Sequence, residues 1–333
     1  MSADKRFRVV VAGSQHGPLD VETQVLGDLA TLDYVELSSE EQLWGLVDDA
    51  DAYMMFHTVR IGSATIERMR RCKLIVRCGV GYDNVDYSFA RSRGIPVANV
   101  PDYGTEEVAD SAIGLTLALT RGIAFQNMLL RDPAVPWHFD HVRPLRRLRG
   151  ETFGIVGLGR IGSAVAVRAK ALGMNVVFFD PYKIDGYDKS LGITRLESLD
   201  ELLATALVIS CHCPLTPETE NLFAAPTIAR MRRGSYLVNT ARGGIVDTAA
   251  LVPAIESGQL AWAAIDVLPI EPAPVDHPLL VAWRDPAHPC HTRVVLNAHN
   301  AFYSEEGVRD MRVKGSEACR RALLGQPLRN VIN

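Results

Sequence analysis

Residues 151–182 read Glu-Thr-Phe-Gly-Ile-Val-Gly-Leu-Gly-Arg-Ile-Gly-Ser-Ala-Val-Ala-Val-Arg-Ala-Lys-Ala-Leu-Gly-Met-Asn-Val-Val-Phe-Phe-Asp-Pro-Tyr, a strand, a glycine turn, a helix and a second strand in succession. The apolar run 152–156 ends at Gly157, Gly159 and Gly162, spaced G-x-G-x-x-G with Arg160 and Ile161 before the last. Glycine lets the chain turn tightly there and approach a pyrophosphate without a Cβ in the way. The turn opens a helix whose first amide N–H groups have no partner inside the helix, and the positive end of its dipole suits a diphosphate. The β-rich run 175–179 then delivers Asp180 and Pro181, with Asp180 eighteen residues past the last motif glycine. A carboxylate at that distance accepts hydrogen bonds from ribose hydroxyls and repels a 2′-phosphate, so NAD(H) is expected over NADP(H). A lone glycine motif is a weak signal; the strand before it, the helix after it and the acid at this distance make it specific.

The chain has 333 residues, enough for two domains at roughly 100–200 residues each. With 47% hydrophobic and 22% charged residues it has a globular composition, so neither disorder nor a fibrous role is suggested. A formal net charge of −4 gives bulk electrostatics no means of holding nucleic acid or an acidic membrane. The basic run 143–149 is short and reads as a solvated or interface loop. The start, Met-Ser-Ala-Asp-Lys-Arg-Phe-Arg, lacks the apolar core of a signal peptide, and no run of about eighteen apolar residues follows, so a cytoplasmic location is expected. The six cysteines are scattered, and reduced thiols are expected. His288, Cys290 and His291 stand close together but have no second cluster at ligand spacing, so no metal is expected.

Before the glycine turn, residues 8–12, 34–37, 52–56 and 74–77 are β-like, with helical periodicity at 40–46 and 64–71, which implies a small parallel α/β domain. A short strand at 95–100 ends at Pro101, and a long helix rich in Ala and Leu follows at 106–120. Beyond the turn, strands are expected at 207–212, 235–240, 261–267 and 293–297. Residues 269–293 hold nine prolines or histidines and read as an irregular excursion; residues 304–324 read as one amphipathic helix that can cross back to the first domain. The boundaries are therefore 1–105 plus 301–333 for a substrate-binding domain and 106–300 for an NAD-binding one, with substrate expected in the cleft between them.

Three strand ends carry the chemistry. Residues 239–247 end a strand with Arg242 followed by two glycines, at the carboxyl edge where open α/β sheets bind ligands. Arg242 can clamp a carboxylate with two hydrogen bonds. Residues 264–272 end the next strand with Asp266 and Glu271, and residues 296–305 end the last with His299. Hydride transfer to a 2-oxoacid needs this set: a cation to hold the carboxylate and polarise the ketone, and an acid to protonate the developing alkoxide. A carboxylate beside a histidine favours imidazolium, which is the role expected of Glu271 toward His299.

With those residues in place, the sequence resembles the D-isomer-specific 2-hydroxyacid dehydrogenase family over essentially its whole length, most closely its C-terminal-binding-protein-like branch through residues 77–84, 167–173, 179–182 and 299–305. The resemblance implies two Rossmann-like or flavodoxin-like parallel-sheet domains in an α/β fold, with the active site between them. It implies Arg242, Glu271 and His299 as the catalytic residues. It further implies that Val80 and Gly81 offer backbone N–H groups to the substrate carboxylate, that Thr240, Ala241, Asp266 and the loop bearing Cys213, Pro214 and Thr216 contact NAD, and that the protein is a homodimer formed mainly through its nucleotide domains. Phe302, Arg77 and His57 match positions that close or charge the substrate pocket, which implies a substrate with a polar or second anionic group beyond its 2-oxoacid head. The sequence departs from the family at Ala298, where proline is usual before the histidine, and in a longer loop over 273–293. The expected activity is NAD-dependent interconversion of a 2-oxoacid and a D-2-hydroxyacid. The alternative is an NAD(H)-sensing binding protein with little turnover. A phosphoglycerate dehydrogenase with an added regulatory module is disfavoured, because the sequence ends at Asn333.

Overall fold

A computed structural model describes residues 7–13, 18–57 and 59–333; the N-terminal run read above for a signal peptide lies, up to Arg6, outside the described residues. The chain divides into two compact units, one of Met1–Gly104 with Tyr303–Asn333, the other of Thr105–Phe302.

The first unit is built on five parallel strands, β1 (Phe7–Ala12), β2 (Ala30–Val35), β3 (Ala52–Met55), β4 (Ile75–Arg77) and β5 (Val97–Asn99), in the order β2-β1-β3-β4-β5. Val9, Val10 and Val11 are all fully buried, the mark of a central parallel strand covered on both faces. The helix Glu305–Leu323 belongs to this unit and is capped by Ser304, whose Oγ accepts from the N–H of Gly307 at 2.8 Å. Its buried stripe of Val308, Met311, Gly315, Cys319 and Ala322 follows the helical repeat. At Gly315 a Cβ would stand 2.6 Å from the Cys78 sulfur, so only glycine lets the helix lie this close to the residue after β4. Arg312, on the same helix, reaches Glu22 through Nε (2.9 Å) and Nη2 (2.6 Å) and Asp20 through Nη2 (2.9 Å). That fork ties the helix to Asp20–Leu26.

The second unit carries seven parallel strands: β6 (Thr152–Val156), β7 (Asn175–Phe179), β8 (Thr194–Arg195), β9 (Val208–Cys211), β10 (Ser235–Asn239), β11 (Leu260–Ile265) and β12 (Val294–Leu296), in the order β12-β11-β10-β9-β6-β7-β8. From β6 the chain builds outward to β7 and β8, then returns to place β9 on the other side. The carboxyl end of β6 is therefore the topological switch point, where open α/β sheets bind their ligands. The helix Thr105–Thr120 packs on one face through Ala109, Ala112, Leu115 and Leu119.

The two parallel α/β sheets agree with the expected fold class, and several local expectations are corrected. The excursion over 269–293 contains two helices, Pro278–Arg284 and Pro289–Arg293, each with proline at its first position and a histidine cap: His277 Nδ1 accepts from the N–H of Leu279, and His288 Nδ1 from that of Cys290. β12 consequently begins at Val294, after the helix that takes Arg293. The strand expected at 34–37 lies at Ala30–Val35, and the helix expected at 40–46 is one 3₁₀ turn, Glu40–Leu43. Helices Asp20–Leu26 and Tyr87–Ser92 were not foreseen. Both are shorter than the window of about 11–18 residues over which helical periodicity is read.

Candidate active site

The glycine turn sits at the switch point, and each of its glycines meets a different steric demand. Gly157 has φ +92°, and a Cβ there would fall 2.6 Å from the backbone nitrogen of Cys213, so glycine admits the loop that follows β9. At Gly162, inside the helix Arg160–Ala171, a Cβ would lie 2.3 Å from the carbonyl oxygen of Gly157. Gly159 caps that helix and faces open space within 4 Å. The first glycine thus admits the neighbouring loop, the last closes the turn on itself, and the middle one leaves an approach to the helix's first N–H groups. Arg160 is exposed and Ile161 partly buried on the first turn.

Asp180 follows β7 and is locked from two sides: Oδ2 accepts from the N–H of Leu158 at 2.8 Å, and Oδ1 from that of Tyr182 at 3.0 Å. The acid therefore braces the glycine turn as well as standing beside it. Pro181 and Tyr182 are exposed, and the Tyr182 hydroxyl donates to Glu218 Oε2. On the other side of β6, Cys213, Pro214 and Thr216 form the loop after β9. Thr219 holds this loop: its Oγ1 accepts from the N–H of Thr216 at 2.8 Å and donates to the carbonyl of Pro214 at 2.6 Å. Burial pushes the Cys213 thiol up to about 11, so it stands there as a neutral thiol.

Thr240 and Ala241 follow β10. Thr240 Oγ1 is buried and has no hydrogen-bond partner among the described residues. A hydroxyl in that state fits a bound polar group, as the open face of Gly159 fits a diphosphate. The residues present therefore suit a dinucleotide: Gly159 and the helix start for the phosphates, Asp180 for a ribose, Thr240 toward the far end.

Asn239, which the sequence reading passed over, holds the next turn from inside. Its Nδ2 donates to the carbonyl of Arg242 (2.9 Å) and its Oδ1 accepts from the N–H of Ala241 (3.0 Å). Arg242 Nη1 donates to the carbonyl of Ala241 at 2.7 Å. At Gly243 a Cβ would lie 2.0 Å from the carbonyl carbon of Leu268 and 2.4 Å from the nitrogen of Pro269. The Arg242 turn is thus pressed against the turn that carries Glu271.

Glu271 Oε1 accepts from the N–H of Leu268 at 2.8 Å, and its Oε2 lies 2.7 Å from His299 Nδ1. His299 has φ +53°, a left-handed conformation uncommon for a side chain other than glycine. Its own N–H donates to the carbonyl of Asp266 at 2.8 Å. The Asp266 carboxylate, 2% exposed, accepts from the N–H groups of Asn300 (3.0 Å) and Ala301 (3.1 Å). Burial pushes its carboxyl above the usual range, and the pull of His299 and of those two N–H groups opposes the rise. Asp266 is thereby the anchor of the strained turn that carries the histidine. Phe302 stands edge-on to the His299 ring, centroids 6.1 Å apart.

In the first unit the candidate residues gather around two asparagines. Asn84 Nδ2 donates to the carbonyls of Phe56 (3.0 Å) and Val59 (3.1 Å), which flank exposed His57, and its Oδ1 accepts from Arg77 Nε at 3.4 Å. Asn99 Nδ2 donates to the carbonyl of Val80 at 2.7 Å, fixing the turn that also carries Gly81. Arg77 is 7% exposed and folds over Gly79, where a Cβ would collide with its Nη1 at 1.7 Å; Gly79 has φ +135°. Arg77, the loop bearing His57 and the turn at Val80 are so brought together. The sequence signals for the two asparagines are slight, since an asparagine in a turn, as Asn84 is, or at the last position of a strand, as Asn99 is, is commonplace.

A dinucleotide-binding sheet with an arginine, a glutamate and a histidine at its carboxyl edge defines the class. Residues 113–301, more than half of the chain, match the model of the D-isomer specific 2-hydroxyacid dehydrogenase NAD binding domain, and the chain belongs to that family. It is 30% identical over 341 residues, covering 100% of this chain and 46% of the relative, to C-terminal-binding protein 1 of Caenorhabditis elegans. It is 33% identical over 310 residues, covering 93% of this chain and 57% of the relative, to D-3-phosphoglycerate dehydrogenase of Methanocaldococcus jannaschii. The chain thus spans about half the length of the curated relatives it matches. Among solved structures it is similar to a D-lactate dehydrogenase from Aquifex aeolicus complexed with NAD and lactic acid, with a TM-score of 0.84, 27% identity and coverage of 95% of this chain and 96% of that one. NAD(H) is the cofactor that the family match and this complex support.

Proposed function

We propose that the protein interconverts a 2-oxoacid and a D-2-hydroxyacid with NAD(H). The observation that carries this reading is the His299–Glu271 pair, 2.7 Å apart at the carboxyl edge of the sheet that holds the glycine turn. β12 and β6 stand four strand positions apart, about 19 Å at ~4.8 Å per strand. That separation is on the scale of an extended dinucleotide lying along the edge. The bound nicotinamide supplies or accepts the hydride. His299 donates the proton to the developing alkoxide in the reductive direction and takes it back in the other. Glu271 holds Nδ1 and stabilises the charged ring, so proton exchange falls to Nε2. Arg242 binds the substrate carboxylate and polarises the carbonyl. Val80 and Gly81 are assigned backbone contacts to that carboxylate. Arg77 and His57 give the first unit two basic side chains, and we assign the substrate a polar or second anionic group on that basis. Equal activity of an Arg77→Ala variant on every 2-oxoacid would overturn that last assignment.

Replacing His299 by Ala tests the catalytic reading. Turnover is expected to fall by about 10²–10⁴, the range for a general acid, with NADH affinity unchanged. Loss of NADH affinity instead would move His299 out of the acid–base role. We also assign a homodimer formed through the nucleotide units, supported by the exposed apolar residues Ile123 (57%), Trp137 (87%) and Phe139 (61%) in one stretch of that unit. A monomer by light scattering would overturn it. The second reading, an NAD(H)-sensing binding protein, is favoured by the match along the whole chain to C-terminal-binding protein 1.

A further inference from the structure

Tyr182 and Glu218 take no part in the chemistry above, yet they meet over the dinucleotide turn. β7 and β9 are the two immediate neighbours of β6, one on each side. The loops that follow them flank the glycine turn, and their strands lie about 10 Å apart at two strand spacings. The Tyr182 hydroxyl crosses that gap to donate to Glu218 Oε2. Both ends are braced. The Tyr182 N–H donates to Asp180 Oδ1, with Pro181 between them fixing the backbone. Glu218 sits in the loop that Thr219 pins to Thr216 and Pro214. Tyr182 is 76% exposed, and a hydrogen bond in water between two exposed side chains contributes little to folding.

We propose that Tyr182 and Glu218 form a clasp over the adenosine end of the dinucleotide site, and that the Glu218 carboxylate is a second negative charge, beside Asp180, selecting against a cofactor with a 2′-phosphate. The proposal rests on the reading of this unit as an NAD site. A ribose hydroxyl accepts either carboxylate as a neighbour. A 2′-phosphate brings close to two further negative charges at neutral pH, and each meets both acids. Through solvent, a second carboxylate at the adenosine end shifts the preference between the two cofactors by roughly 3–10-fold, and salt weakens that effect. The phenol's part is to keep Glu218 from swinging away.

The test is equilibrium binding of NADH and NADPH, followed by nicotinamide fluorescence, for the parent protein, Glu218→Gln and Tyr182→Phe. The parent is expected to bind NADH more tightly. Glu218→Gln, which retains an oxygen for the phenol, lowers the ratio Kd(NADPH)/Kd(NADH) about 3–10-fold, chiefly by tightening NADPH, and the change shrinks as salt rises. Tyr182→Phe keeps the charge and frees the side chain, lowering the ratio about 2-fold and speeding NADH release. A tighter NADPH complex cannot come from misfolding. An unchanged ratio in Glu218→Gln, or a change that salt leaves intact, overturns the clasp while the parent's NADH binding upholds the cofactor reading. A parent that binds neither nucleotide overturns both.

Discussion

His299 combines a left-handed backbone with a carboxylate 2.7 Å from one ring nitrogen. Strained conformations persist where the surroundings over-determine them, and here Asp266 does so through the backbone of residues 299–301. A second histidine behaves differently. His212, at the end of β9, lies with Nε2 2.8 Å from Ser210 Oγ, and burial pushes its ring from 6.5 down to about 4. The folded protein thus keeps this imidazole neutral where the unfolded chain protonates it. Its contribution to stability is complete above pH 6.5 and is lost as pH falls toward about 4. Urea unfolding across that window is expected to show a loss of roughly 1–3 kcal/mol in the parent that His212→Asn flattens. Equal slopes for the two would contradict the assignment. The positions of Arg242, Glu271, His299 and Asp180 at the carboxyl edge of the sheet were legible one by one, because each follows the end of a strand. What Asp180 does to the turn was not, since the N–H of Leu158 that it accepts belongs to the preceding strand–turn unit.

The unit that places Arg242 and Glu271 is a pair of turns in contact, and Gly243 is what permits the contact. Replacing Gly243 by Ala puts a methyl group 2.0 Å from the Leu268 carbonyl carbon, so one turn has to give way. A displacement near 1 Å at a reacting centre costs on the order of 10²-fold in rate. Gly243→Ala is expected to lower kcat/KM by about that factor with NADH affinity little changed. A variant with parent-like kcat/KM would contradict this coupling. Elements were legible where period or punctuation was strong, as in the helix Thr105–Thr120 and the strands around the glycine turn. They were illegible where histidine does the work of a cap. In the excursion over 269–293, His277 and His288 start helices from positions where proline and histidine together read as loop, and His288, Cys290 and His291 resemble a ligand cluster. His288 instead pairs with Glu256 at 3.0 Å, and His291 Nδ1 lies 2.9 Å from the Trp283 carbonyl oxygen.

Across the whole chain, the first unit is completed only when residues from the far end return to it. Arg312 meets Glu22 across 290 positions of sequence, with side chains only 10% and 1% exposed, a pairing no local pattern announces. Removing one partner of a buried ion pair leaves the other charge stranded, at a cost of about 3–5 kcal/mol. Arg312→Ala is expected to destabilise the first unit by that amount in denaturant unfolding, while the Glu22→Gln, Arg312→Met double variant recovers part of the loss; a change under 1 kcal/mol would show the pair to be incidental. The dehydrogenase activity we propose rests on the other unit. Its most direct test is NADH oxidation by the purified protein with a panel of 2-oxoacids that includes aromatic, thioether and dicarboxylic members, with chiral analysis of the product. The expected result is rapid oxidation with at least one member, yielding the D-2-hydroxyacid. Tight NADH binding with no turnover on any member, or an L-product, would contradict the account.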